Sequence, residues 1–276
     1  MATLNLVGAG HVGRALGRLF AAHGAFAVQD VLTTSEASAQ AAVDFIGAGR
    51  ACKGSADDPR PAQVWMLAVR DDQIRPACSM LAAVQPLAGA VVFHCSGAKA
   101  SDELRAAREA GAYVASVHPV RSFADPGAVA AGFMGTFCGI EGDPEALAVL
   151  EPAFAAIGAR LVRIDPSAKT VYHAAAVFAS NYLVTVVDAA LRAYEAAGVP
   201  AQVARELAQP LATEALANVF RLGPEAALSG PVARGDFATV ARQQDAVTRW
   251  DAATGRLYEA LVPPTAALAR RKRGEA

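Results

Sequence analysis

Residues 3–13 read TLNLVGAGHVG. An apolar run, 4–7, leads into Gly8-x-Gly10-x-x-Gly13, and a helical pattern opens directly behind it. Strand, glycine turn and helix start form the context in which this spacing cradles a dinucleotide. Gly8 permits the sharp turn out of the strand. Gly10 lets backbone N–H groups approach a pyrophosphate, and Gly13 lets the helix pack close to the sheet. Free N–H groups and the positive end of the helix dipole attract the phosphates. Ala9, His11 and Val12 complete the loop. The same letters fit a glycine-rich strand–helix turn with no nucleotide, so the rest of the chain has to decide.

The chain has 276 residues, a length that suggests two domains of ~100–200 residues each. It is 54% hydrophobic and 18% charged, ample for a large core. A net charge of -1 supplies no basic field for nucleic acid. Cys52, Cys78, Cys95 and Cys138 are widely spaced with no CxxC pair, which predicts reduced thiols, no metal site and a cytoplasmic protein. The first residues read as a strand rather than a signal peptide. The most apolar stretch, 174–191, contains Asn181 and Asp188 and reads as a buried helix rather than a membrane span.

Strand and helix signals alternate through about the first 165 residues, which predicts a parallel, doubly wound sheet. Strands are expected at 27–33, 64–69, 90–95, 113–117, 136–140 and 160–164, with helices between them. Asp143-Pro144 reads as an N-cap followed by Pro at the first helical position. After Asp165-Pro166 strand signals vanish. One long helix is expected over 169–197, a second over 201–222, a Gly/Pro-rich break over 223–235 and a helical region from Asp236. The predicted fold is an N-terminal doubly wound Rossmann domain, 1–166, and a C-terminal all-helical domain, 167–276. The long helix is apolar on more than one face, so a homodimer through the helical domain is expected.

The tip of the second strand bears on the choice of cofactor. An acid there binds the ribose hydroxyls of NAD and repels the extra phosphate of NADP. Here the tip reads Thr33-Thr34-Ser35, with no carboxylate, and Arg50 or Lys53 adds charge. Asp30 competes, but lies three residues inside the strand. NADP is therefore expected over NAD. Ala68-Val69 ends the strand that passes the nicotinamide ribose, and Asp71-Asp72 behind it reads as a helix N-cap.

Three polar clusters fall where ligands of such sheets bind: 94–99 (HCSGAK), 116–123 (SVHPVRSF) and Tyr172-His173 with Ser180-Asn181. His118 is the first candidate for proton transfer, because imidazole suits both directions near neutral pH and Pro119 restricts its backbone. Ser96 is expected to orient a substrate oxygen, and Arg121 to bind a substrate carboxylate unless it pairs with Asp125. His173 and Asn181 would line the far wall. Each histidine also has a plain reading, His118 as a strand-end hydrogen-bonder and His173 as a buried helix residue. GPVARGD, 230–236, either presents Arg234 to a cleft or is a turn in which Asp236 caps the last helix.

The order GAGHVG, HCSGA, SVHPVRSF, YHAAAVFASNY, GPVARGD resembles the Rossmann-like proteins with a DUF2520 C-terminal domain, often labelled NADP oxidoreductase, coenzyme F420-dependent-like. The wider relatives are the 6-phosphogluconate dehydrogenase-like enzymes. The β-hydroxyacid dehydrogenases among them carry a Lys-x-x-x-Asn pair; if Asn181 matches that Asn, Val177 stands at the lysine position and ordinary β-hydroxyacid chemistry is disfavoured. Ser96 and His118-Pro119 are similar to the Ser and His-Pro of prephenate dehydrogenases. The resemblance implies a fold and an NADP cofactor, not a substrate; taken with the site residues, the expectation is an NADP-dependent oxidoreductase acting on a small, anionic metabolite. The competing expectation is an NADP(H)-binding sensor without turnover, and a deazaflavin-dependent reductase follows from the family label alone.

Overall fold

A computed structural model describes residues 1–275. Eight strands form one sheet: β1 Thr3–Val7, β2 Ala27–Thr33, β3 Arg50–Lys53, β4 Val64–Leu67, β5 Val91–His94, β6 Tyr113–Pro119, β7 Phe137–Gly142 and β8 Arg160–Arg163. Their order is β3-β2-β1-β4-β5-β6-β7-β8. The first six are parallel and reverse direction of winding between β1 and β4, the crevice where doubly wound sheets bind ligands. The sequence predicts a parallel, doubly wound sheet, and the structure has one, with an antiparallel pairing near its edge. β7 runs antiparallel to β6, and β8 follows β7. The helix between β6 and β7, Pro126–Ala131, has only six residues, roughly 9 Å, too short to carry the chain back along a seven-residue strand. Strand β3 was also not expected; its four residues are a mostly exposed edge without an apolar run.

Helices cover both faces. We label them α1 His11–Ala22, α2 Glu36–Ile46, α3 Ile74–Val84, α4 Arg105–Glu109, α5 Pro126–Ala131, α6 Pro144–Ala156 and α7 Lys169–Val177. β4 is apolar throughout because it is buried on both sides: Val64 and Met66 enter one core, while Trp65 and Leu67 enter the other. On the first face Phe20 packs edge-to-face on Phe26 and Phe154, with centroids 5.1 and 5.2 Å apart. On the second, Ile74, Leu81 and Leu104 cover Trp65, Val92 and Val114. Asp143 precedes α6 but does not cap it. Its carboxylate accepts from Arg108 and from the Val114 N–H at 2.8 Å, joining the helix start to β6.

Contacts divide the chain into a first compact unit, Met1–Ala176, and a second beginning at Val177. The second is all helical: a π turn over Phe178–Tyr182, then α8 Leu183–Ala196, α9 Ala201–Leu222, α10 Pro224–Ala227, α11 Pro231–Arg234, α12 Phe237–Trp250 and α13 Ala252–Arg273. Arg192 of α8 donates to Asp251, the α13 N-cap, at 3.0 Å and to Thr254 at 3.1 Å. The expectation of a buried apolar helix fails within this chain. The helical run Pro166–Ala196 is long and apolar enough to cross a membrane, with mean hydropathy 1.6, yet its apolar window is not buried. Val184 and, on α9, Phe220 are exposed.

Candidate cofactor cleft and active site

The glycine loop has the shape a pyrophosphate requires. Gly8 has φ +86°, and a Cβ there would sit 2.7 Å from the Ala68 carbonyl oxygen. Its N–H donates to Leu32 O at 2.8 Å, locking the turn onto β2. A Cβ on Gly13 would meet Gly8 O at 2.8 Å, whereas one on Gly10 would meet nothing within 4 Å. Gly10 is the N-cap of α1 and supplies no side-chain cap, so the first N–H groups of the helix face open space. A cleft of about 550 Å³ runs from here along Gly8, Ala9, Arg14, Thr33, Thr34, Ala68, Val69 and Arg70. A second hollow of about 260 Å³ continues past Gly10, His11, Val12, Ala68, Val69, Asp71, Cys95 and Ser96. The loop, its uncapped helix and the cleft fit a dinucleotide. Arg14 and Arg70 are wall residues that the sequence did not single out.

At the β2 tip, Thr33 donates to the Ser35 carbonyl at 2.7 Å, and Ser35 caps α2 by accepting the Ser38 N–H at 3.2 Å. Ser35 is thus spent on the helix, and Thr34 is the exposed hydroxyl of the three. Asp30 is fully buried and accepts from Arg50 at 3.0 Å and from Arg60 at 2.5 Å. Burial alone would raise its pKa, but the hydrogen bonds from Arg60 and Arg50 prevail and lower it to about 2. Asp30 is not aimed at a ribose, and Arg50 is committed to it. Lys53 pairs with Thr33 at the tip of β3.

Ser96, His118 and His173 do come together, in the first unit. β5 and β6 lie side by side in register His94↔Ser116, so the loop after β5 meets the end of β6. Every polar atom of Ser96 is engaged. Its N–H donates to His94 Nδ1 at 3.1 Å, and its carbonyl accepts from Lys169 at 3.0 Å and Ser116 at 3.3 Å. Its hydroxyl donates to Asp71 at 2.9 Å and accepts the N–H groups of Ala98 and Lys99. One donor and two acceptors exhaust a hydroxyl, so the expected direct contact with a substrate oxygen has no free site here. Asp71, expected as a helix cap, instead holds Ser96.

The next residue, Gly97, is the floor of the cluster. A Cβ on it would collide with His173 Nδ1 and lie 2.7 Å from His118 Nε2, so two imidazole nitrogens converge over one glycine. His173 Nδ1 is buried and has no hydrogen-bond partner among the described residues. His118 Nδ1 is 3.0 Å from the Tyr172 hydroxyl. Burial, then the neighbouring His173 and Lys169, push the His118 pKa down to about 4, so the imidazole is neutral at pH 7. Burial likewise raises the Tyr172 pKa. His94, fully buried and bonded to Ala100 O at 3.0 Å, is lowered to about 4, chiefly by burial.

Lys169 is the residue that sequence reasoning missed. It is 2% exposed at the start of α7, where a lysine after a Pro-Ser turn reads as solvated surface. Its ammonium donates to Ser96 O and, at 2.5 Å, to Ser116 Oγ, with Glu141 Oε1 3.8 Å away. Glu141 is also buried and accepts from Ser101 N and Oγ at 2.8 and 2.7 Å. The signal that could have found it is spacing, since Lys169 and His173 are four apart on one helix face.

Other expected residues lie elsewhere. Arg121 donates to the Gly132 carbonyl, and Asp125 caps α5 instead of pairing with it. Asn181, in the π turn, and Arg234, in the last turn of α11, belong to the second unit, where both are exposed. Asp236 caps α12 by accepting the Thr239 N–H at 3.1 Å. His11 Nδ1 donates to Phe123 O at 2.6 Å, linking the glycine loop to the segment after β6.

Fold and cradle together define a Rossmann-like dinucleotide domain joined to an all-helical unit. Residues 2–119 match the Rossmann-like domain, and residues 136–265 match the domain of unknown function DUF2520. Protein TM1727 from Thermotoga maritima is similar at 26% identity with TM-score 0.75, covering 98% of this chain and 99% of that one. BF3122 from Bacteroides fragilis, named provisionally as an NADP oxidoreductase, is 20% identical with TM-score 0.77, over 96% and 98%. An imine reductase from Myxococcus stipitatus in complex with NADP+ shares the fold at 14% identity and TM-score 0.68, over 98% and 93%. No curated protein matches the chain.

Proposed function

We propose that the protein is an NADP-dependent oxidoreductase that transfers a hydride to or from a small, anionic metabolite. The observation that carries this reading is the convergence of His118 Nε2 and His173 Nδ1 over Gly97, beside a cradle shaped for a dinucleotide. NADP, when bound, supplies or accepts the hydride. Gly8 to Gly13 with the start of α1 hold its pyrophosphate, and Ala68 and Val69 line its path. An exposed Thr34 and a strand tip free of carboxylate suit the additional phosphate of NADP, and the names of the Bacteroides and Myxococcus proteins agree with it. His118, neutral at pH 7, takes or returns the proton of the reacting group, and Tyr172 fixes its ring. Arg121 serves as the anion contact by exchanging the Gly132 carbonyl for a substrate carboxylate.

Asn181 and Arg234 lie in the helical unit and are exposed there. The exposed apolar residues of that unit, Val184 and Phe220 among them, support a homodimer formed through it, and we infer a cytoplasmic protein. The decisive experiment measures NADPH and NADH binding by calorimetry, then follows NADPH absorbance across 2-oxo acids, aldehydes and cyclic imines. Tight NADPH binding with turnover of one class is expected. A second reading, a nucleotide sensor without turnover, draws on the saturated Ser96 hydroxyl; binding without oxidation of any class would favour it.

A further inference from the structure

The mechanism just proposed makes no use of the most deeply buried cation of the first unit. Lys169 is anchored at three points. Two are the Ser96 carbonyl and the Ser116 hydroxyl, and the third is Glu141, itself fixed by Ser101. Ser96 leads directly into Gly97, and Ser116 stands two residues before His118 on β6. His173 lies one helical turn beyond Lys169 on the same face. The ammonium thus touches β6, which carries His118, and the turn that lies beneath both imidazoles, and it shares α7 with His173. A buried lysine costs several kcal/mol in desolvation unless its surroundings compensate. Here one carboxylate and two oxygen acceptors do so.

We propose that Lys169 is a positioning residue for His118: it clamps the Gly97 turn beneath the two imidazoles and holds the part of β6 that leads into His118. The inference rests on the reading of His118 as the proton-transfer group. The groups that face His118 are few. They are Tyr172, His173 and Lys169 from α7, and Asp71 from the turn after β4, with Glu141 on β7 acting through Lys169. Burial, His173 and Lys169 favour neutrality, while Asp71 opposes it. Removing the Lys169 charge should therefore let His118 protonate at higher pH.

The test is a titration of the full chain, labelled with 15N-histidine, followed through the imidazole nitrogens. The chain contains five histidines, so single replacements assign the signals. In Lys169→Met the His118 midpoint is expected to move up by roughly one pH unit. Lys169→Gln keeps an N–H donor without the charge and should move it likewise, which covers the case in which the methionine variant does not fold. Lys169→Arg keeps the charge and should leave the midpoint low. An unmoved midpoint in both neutral variants, or an arginine variant that shifts as far as they do, overturns the assignment. A shifted midpoint in a protein that oxidises no substrate would leave the assignment intact and sink the oxidoreductase reading alone.

Discussion

His118 and Gly139 face each other across the antiparallel β6–β7 ladder, and the Tyr172 hydroxyl occupies the space that a side chain at 139 would fill. A Cβ there would lie 2.5 Å from that hydroxyl. Gly139→Ala should displace Tyr172, at a cost of about 1–3 kcal/mol from overpacking. Tyr172→Phe removes the hydrogen bond to His118 and leaves the ring. Both variants should lower turnover by about tenfold or more with NADPH affinity unchanged, measured by steady-state kinetics and calorimetry. Full activity in Tyr172→Phe would remove the tyrosine from the mechanism.

His118→Ala should reduce turnover by about 10²–10⁴-fold, the range for loss of a general acid or base. Its NADPH dissociation constant should stay within about threefold of wild type. Because His118 titrates near 4, wild-type activity in the direction that needs a base should persist into mildly acidic buffer and fall only as the pH approaches 4. A pH–rate profile with its acid limb near 6.5 would contradict this.

Stability should also fall in acid, over a window that the buried histidines define. His94 and His118 both titrate near 4 when folded and near 6.5 when unfolded. The unfolded chain therefore binds protons first, and stability is lost as pH falls from about 6.5 toward 4. Asp30, lowered to about 2, keeps its arginine pairing throughout that window. Thermal melting at several pH values should show the decline, and His94→Gln should flatten it while lowering the neutral-pH melting temperature. An equally steep decline in that variant would assign the acid sensitivity elsewhere.

Two substitutions in the glycine loop should separate folding from binding. Gly10→Ala meets no protein atom, so the melting temperature should hold while NADPH affinity drops by about tenfold or more. Gly13→Ala drives a methyl against Gly8 O at 2.8 Å and should lose both stability and affinity. Retained affinity in Gly10→Ala would mean that the pyrophosphate does not lie over this residue.

Much of the fold could be read from the sequence because the first unit follows local rules. Glycine spacing, apolar runs and a cap such as Asp236 act within a few residues of themselves. What could not be read depends on distant partners. Asp71 looked like a helix cap until Ser96, 25 residues on, took its carboxylate. Lys169 carries no local signal of its burial, because its partners Ser96, Ser116 and Glu141 are all distant in sequence. The direction of β7 depended on how far α5 could carry the chain, which periodicity does not encode. His118 and His173 were visible as residue types, but their meeting over Gly97 was not, since β6 and α7 are adjacent only in the folded sheet.

The uncapped start of α1 carries a consequence for how long the protein lasts. Its first N–H groups are the ones an anion would satisfy, so a nucleotide bound as proposed would stabilise the fold. A ligand present at 100 times its dissociation constant adds about 2.7 kcal/mol of stability by mass action. Folded lifetime would then rise and fall with the supply of nucleotide, and depletion of the cofactor would expose the chain to proteolysis before any shortage of substrate was felt.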